Sequence, residues 1–95
     1  MLYSVSTLKY FDEREAFKLR KDVIHPTVKR QKGCRSVQFL KCLDGSGEYL
    51  IMIAWETRED RDAFVKSKDH DELKALQWPL MSEKIKIKEY ELILD

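Results

Sequence analysis

The stretch EYLIMIAWET, residues 48–57, restricts the possible folds more than any other part of the chain. Read as a strand, it sets Tyr49, Ile51, Ile53 and Trp55 on one face and Leu50, Met52 and Ala54 on the other, because successive side chains point to opposite sides. Both faces are apolar, so the strand needs a cover on each side. A chain of 95 residues has little to offer as cover, since folding at that length buries only about two thirds of the surface of the extended chain.

The flanking segments show what is available. Residues 2–10 alternate loosely enough to read as a first strand. Asp12 and Glu15 then supply an N-cap and a partner at the third helical position. The predicted helix carries an apolar stripe of Ala16, Phe17, Val23, Ile24 and Val28, with Lys18, Lys21, Asp22 and Lys29 facing water. Pro26 removes one backbone bond and crowds the preceding turn, which predicts a kink or break near His25 and a helical end at Gly33. Residues 35–43 read as a second strand, and Asp44-Gly45 with Ser46-Gly47 turn it into the third as a hairpin. Thr57 with Asp60, and Asp69 with Glu72, are two further capping signals that open short helices, the second closed by Trp78-Pro79. Residues 84–95 form the last strand. Its apolar parity changes between Ile85/Ile87 and Tyr90/Leu92/Leu94, which predicts a bulge near Lys88-Glu89 or a change of packing partner.

The order is βαββαβ with a split second helical region: an α+β, ferredoxin-like domain spanning residues 1–95, with a four-stranded antiparallel sheet and helices on one face. Helices cover one side of the third strand, and nothing else in the chain remains for the other. A second copy packed sheet against sheet is the economical cover, so a homodimer through the sheet faces is expected. RNA-binding domains share this order but carry a K/R-G-F/Y-G/A-F-V-x-F/Y string on the third strand, which EYLIMIAW lacks. With a net charge of +1, no nucleic-acid partner is expected.

The longest apolar run, Leu50 to Trp55, is far short of the roughly 20 residues that span a bilayer, and MLYSVSTLKY has neither the basic start nor the apolar stretch of a secretory signal. No membrane association and a cytoplasmic location are the expectations. Cys34 and Cys42 lie on one predicted strand at a separation of roughly 26 Å, beyond disulfide reach, so both are expected as free thiols. Their spacing matches no zinc pattern, and no metal site is expected.

The segment GCRSVQFLKCLDGSGEYLIMIAWETREDRDAFVKS, residues 33–67, resembles the core of the antibiotic-biosynthesis monooxygenase (ABM) domain family of the dimeric α+β barrel superfamily. The shared features are a Gly closing the first helix, a hairpin, and a strand ending in Trp-Glu before a capped helix. The resemblance implies a homodimer with a cavity between helices and sheet. It also implies, for part of the family, oxidation of a planar quinol-like aromatic by O₂ with no cofactor. Trp55 best matches the family pattern and is expected to double as core and pocket wall.

A haem-degrading subgroup of the family resembled relies on an Asn on the first strand and on a Trp and a His on the helices after Trp-Glu. This sequence contains no Asn; its first strand offers Ser4, Ser6 and Thr7, and the helical places fall at Phe64 and near Lys74. Haem degradation is therefore not expected. For cofactor-free chemistry His70 is the candidate base, while Trp55, Tyr3, Ser6 and Tyr49 are candidates to bind and orient a hydroxylated ring. His25, before Pro26, reads as structural, and the run Lys29, Arg30, Lys32, Arg35 reads as a solvated helix end. The competing function is a non-catalytic dimer of the same fold that binds a small ligand or scaffolds an assembly.

Overall fold

The hairpin turn is held by one carboxylate. The Asp44 side chain accepts the Ser46 backbone N–H at 2.8 Å, while Gly45 and Gly47 take φ angles of +84° and +80°, which glycine reaches without a Cβ penalty. Hydrogen bonds from the Ser46 side chain and backbone pull the Asp44 carboxyl down to about 2. In the computed structural model, which describes residues 1–95, this turn joins β2 (Cys34–Lys41) to β3 (Tyr49–Trp55).

With β1 (Leu2–Leu8) and β4 (Lys86–Glu91), these strands form one antiparallel sheet in the order β2-β3-β1-β4. The central pair aligns Ser4 with Ile53 and Leu8 with Tyr49, and β4 aligns Tyr90 with Tyr3. The expected bulge at Lys88-Glu89 is not there. β4 pairs with β1 in continuous register, so Ile87 and Tyr90 simply fall on opposite faces, and the sheet's irregularity lies instead between Cys34 and Ser36 on β2.

The first helical region also departs from expectation. Of the expected kink or break near His25 the break is absent: the path from Glu13 to Lys29 stays helical, with α1 (Glu13–Leu19) widening into a π-turn (Arg20–Ile24) and continuing as α2 (His25–Lys29). The wider turn lets the His25 N–H reach the Arg20 carbonyl, and Pro26 then occupies the start of α2, where its missing N–H opens little gap. Asp12 caps α1 as predicted, accepting the N–H groups of Arg14 and Glu15. After β3 in the chain, Thr57 caps α3 (Arg58–Val65) as predicted, but α4 (Lys68–Gln77) begins earlier than the Asp69 signal implied. Ser67 is its cap, accepting the His70 N–H at 3.2 Å. Trp78-Pro79 closes α4 in a 3₁₀ turn.

The helices pack on the face of β3 that presents Tyr49, Ile51, Ile53 and Trp55. One buried cluster gathers Leu2, Ile24, Val28, Val37, Trp55, Phe64 and Leu73, and a second gathers Leu8, Tyr49 and Ile51. Strand alternation leaves Tyr3, Val5, Leu50 and Met52 on the opposite face, which no element of this chain overlies. Cys34 and Cys42 are both free. No helix is long and apolar enough to cross a membrane.

Candidate active site

Four aromatic rings meet at the start of β3. Tyr49 and Phe39 stack with centroids 5.2 Å apart at 16°, and Phe17 of α1 meets both edge-on at 5.5 and 5.7 Å. Tyr10, just past β1, tilts against Tyr49 at 5.7 Å. Cross-strand adjacency brings Phe39 and Tyr49 together, and the helical stripe delivers Phe17; geometries of this kind add to what burial alone supplies. A cavity of about 390 Å³ opens here, walled by Phe17, Phe39 and Tyr49. That volume lies within the usual range for small-molecule sites.

The rest of the wall is basic: Arg20, Lys21, His25 and Lys41. Arg20 is only 5% exposed. It occupies the stripe of Ala16, Ile24 and Val28, so the same spacing that buries those residues buries a guanidinium. Its Nε donates to the Tyr10 hydroxyl at 3.0 Å, an Nη2 hydrogen goes to the Gln77 side-chain oxygen, and its carbon lies 5.0 Å from the Phe39 ring centroid. Burial lowers the Arg20 pKa and the contact with Tyr10 opposes that shift, but guanidinium remains charged at any physiological pH.

Tyr49 is 1% exposed, and its hydroxyl oxygen is buried without a hydrogen-bond partner. Burial pushes its pKa up to about 12, with the nearby Glu13 carboxylate adding to the shift. The phenol therefore stays protonated and offers a donor. Glu13 is lowered in return, by Tyr49 and then by Lys41, with which it pairs at 3.5 Å. The Glu13 carboxylate is close enough to act on both groups as a hydrogen-bond partner does, but the contact falls outside hydrogen-bond geometry, so the Tyr49 proton is not firmly held there.

The residues singled out from sequence are not brought together. Tyr49 lines the cavity. Trp55 sits at the other end of β3, roughly 20 Å along the strand, 1% exposed and packed on Phe64 at 5.6 Å. His70 belongs to that far end as well. Its ring meets Phe64 edge-on at 5.1 Å with Nδ1 buried and unpartnered, and burial, then Lys74, lower its pKa. Ser6 is half-buried on the helix side of β1 between Ile51 and Ile87, and Tyr3 lies on the opposite face beside Tyr90. Two smaller cavities, of about 290 and 300 Å³, are lined partly by acidic residues, among them Asp60 and Glu91, and Trp55 lines neither. No group of three or more His, Cys, Asp or Glu side chains converges anywhere.

The comparisons with known proteins point one way. The family model described as antibiotic biosynthesis monooxygenase matches residues 11–76. No curated protein sequence matches significantly. Among solved structures, a Nitrosomonas europaea protein provisionally named an antibiotic biosynthesis monooxygenase superposes with a TM-score of 0.82 at 21% identity, covering 99% of this chain and 100% of its own. A mutant of SnoaB, a cofactor-independent oxygenase from Streptomyces nogalater, gives 0.85 at 11% identity over 99% and 94%. A conserved protein from Methanosarcina mazei gives 0.80 at 19% identity over 94% and 89%. At these identities the structural likeness establishes the fold alone.

Proposed function

We propose, from the premise that this chain belongs to the antibiotic biosynthesis monooxygenase family, that it is a small homodimeric monooxygenase that oxidises a planar quinol-like aromatic with O₂ and without a cofactor. The reaction is assigned to the cavity walled by Phe17, Phe39 and Tyr49. The observation that carries this reading is the cavity wall itself, stacked Phe39 and Tyr49 rings beside a buried guanidinium, with a Tyr49 hydroxyl that has no partner in hydrogen-bond geometry. An unpaired buried donor is costly to the fold, and a ligand oxygen would satisfy it.

The chemistry needs a phenolate and a dry space. Loss of a phenolic proton makes the ring electron-rich enough to give one electron to O₂, and the superoxide and ring radical then recombine at a neighbouring ring carbon that carries hydrogen. The resulting hydroperoxide loses water and that carbon becomes a carbonyl, so one oxygen atom of O₂ enters the product, the other leaves as water, and the substrate supplies all the electrons. The protein's part is electrostatic and geometric. Tyr49 donates to the ring oxygen, Arg20 and Lys21 favour the phenolate and the superoxide, and the stacked rings fix the plane while excluding water. His25 is the imidazole on the cavity wall and takes the role of proton acceptor.

His70 is the rival base, with Trp55 as the rival pocket wall, and one experiment separates the two ends of β3. Oxygen uptake is followed with 1,4-dihydroxynaphthalene for the wild type, His25→Ala and His70→Ala. Losing a general base costs about 10²- to 10⁴-fold, so His25→Ala should fall by at least the lower figure while His70→Ala stays near wild type. The reverse pattern moves the site to Trp55 and His70. No uptake above the buffer rate in the wild type removes the oxygenase and leaves a ligand-binding dimer of the same fold.

A further inference from the structure

Arg20 is a buried cation whose partners are all neutral. Its guanidinium meets a phenol, an amide oxygen and the face of Phe39, and forms no ion pair. Buried charges in folded proteins are ordinarily paired, because a lone ion has given up its water for nothing of opposite sign. Two of its N–H groups are used, and the Nη1 group has no partner. Lys21 on the same wall is also without an ion pair, and Lys41 has only Glu13, at 3.5 Å, with both side chains about half exposed (51% and 48%). Three permanent cations thus line the cavity and no carboxylate does; Glu13, beside it, is held to Lys41 in the kind of solvated pair that contributes little and gives way easily.

From this imbalance, and resting on the assignment of the cavity to an aromatic ligand, we infer that the substrate class is a planar hydroxyaromatic carboxylic acid. The ring lies against Phe39 and Tyr49, and the carboxylate takes the unpaired Arg20 donors with Lys21 and Lys41 at the mouth. A neutral quinol fills the aromatic space but leaves Arg20 as uncompensated as it is in the free protein. A carboxylate supplies the missing charge, and its planar pair of oxygens matches the guanidinium fork. Lys21, Lys41 and His25 surround the entrance and would draw an anion inward before the ring docks.

The test is binding without turnover. Affinities of 1-hydroxy-2-naphthoate and 1-naphthol are measured by calorimetry under nitrogen in low salt; the two probes share ring and hydroxyl and differ only in the carboxylate. The expected result is at least tenfold tighter binding of the naphthoate. In a Lys21→Gln/Lys41→Gln variant the ratio of the two affinities should shrink at least threefold. Arg20→Met attacks the main contact but also the Tyr10–Gln77 network, so the exposed lysines keep the inference testable if that variant does not fold. Equal affinity for the two probes overturns it, as does a preference that the double variant leaves intact. Since no oxygen is present, this result is separate from the oxygenase reading: a carboxylate preference without oxygen uptake keeps the ligand class and removes the reaction, and uptake of neutral quinols with no such preference does the opposite.

Discussion

Replacing Tyr49 by Phe removes one oxygen atom from the fold and should make the protein more stable. The hydroxyl gives up its water on folding and gains no hydrogen bond in return, a loss of about 1 to 3 kcal/mol for a buried polar group. The ring itself stays, stacked on Phe39 and met edge-on by Phe17, so no cavity opens. Part of the penalty is already offset by the proximity of Glu13, which places the expected gain at the lower end, about 1 kcal/mol. For a domain of this size that raises the midpoint of thermal unfolding by about 4 to 8 °C. Ligand binding should move the other way: losing a donor to a ligand oxygen should weaken 1-naphthol several-fold.

The pH dependence decides whether the hydroxyl is free. Glu13 has a folded pKa below its ordinary 4.5, first through Tyr49 and then through Lys41. A carboxyl lowered in the folded state contributes stability that is present above its unfolded value and lost as pH falls through the folded one. If Glu13 firmly accepts the Tyr49 proton in solution, Tyr49→Phe should destabilise the protein at pH 7, and the loss should fade as pH falls from 4.5 through the lowered folded value of Glu13. If the donor is uncommitted, the variant gains stability at pH 7 and keeps the gain in acid. Urea unfolding at pH 7 and pH 3.5 reads both quantities. A loss at pH 7 that shrinks at pH 3.5 refutes the argument, and with it the availability of Tyr49 to a ligand.

Two further outcomes follow from the fold. Gly33 has φ +79° and a Cβ built on it would clash with Oδ2, Cγ and Cβ of Asp60, so Gly33→Ala should cost about 2 to 4 kcal/mol in urea unfolding; adding Asp60→Ala removes Oδ2 and Cγ but keeps the Cβ, so it should recover only part of that loss. Met52, between Val5 and Gln38 on the sheet face away from the helices, should on change to Asp convert a dimer of twice 11.3 kDa to a monomer by light scattering without unfolding it, whereas Ile53→Asp, on the helix side, should unfold it; a wild-type monomer at micromolar concentration would reject the dimer.

The fold was largely legible because its signals are local. Asp12 and Thr57 cap the helices they were expected to cap, and the hairpin turns where Asp44 and its glycines indicate. The misreadings share a cause. Ser67 was passed over as a cap in favour of Asp69, two residues away, because either residue type can accept the needed N–H groups. Pro26 was expected to kink or break the helix near His25; the helix does not break, and the irregularity is a π-turn that ends just before His25, which nothing in a list of propensities marks. The parity change in the last strand was real, but it records a strand with apolar groups on both faces rather than a bulge.

The aromatic cavity proposed as the site was harder to see than the fold because it is made of residues that look ordinary one at a time. Sequence reasoning followed the family-like Trp55 and the nearest imbalance in titration, His70, and both lie at the end of β3 away from the basic aromatic cavity. Phe17 read as part of an apolar stripe, Phe39 was simply one residue of the second strand, and Lys21 read as a solvated face. His25 read as the companion of a proline. One signal was available: in the series Ala16, Arg20, Ile24, Val28 every fourth residue turns inward, and one of the four is an arginine. A charge on a buried stripe has to be answered from somewhere, and the chain answers it only with the neutral oxygens of Tyr10 and Gln77. The π-turn that begins at Arg20 is the local adjustment that keeps this residue on the stripe while the helix continues through Pro26. The backbone irregularity and the unanswered charge therefore occupy the same residue, on the wall of the cavity, and a departure from local rules at one residue is what the proposed site would account for.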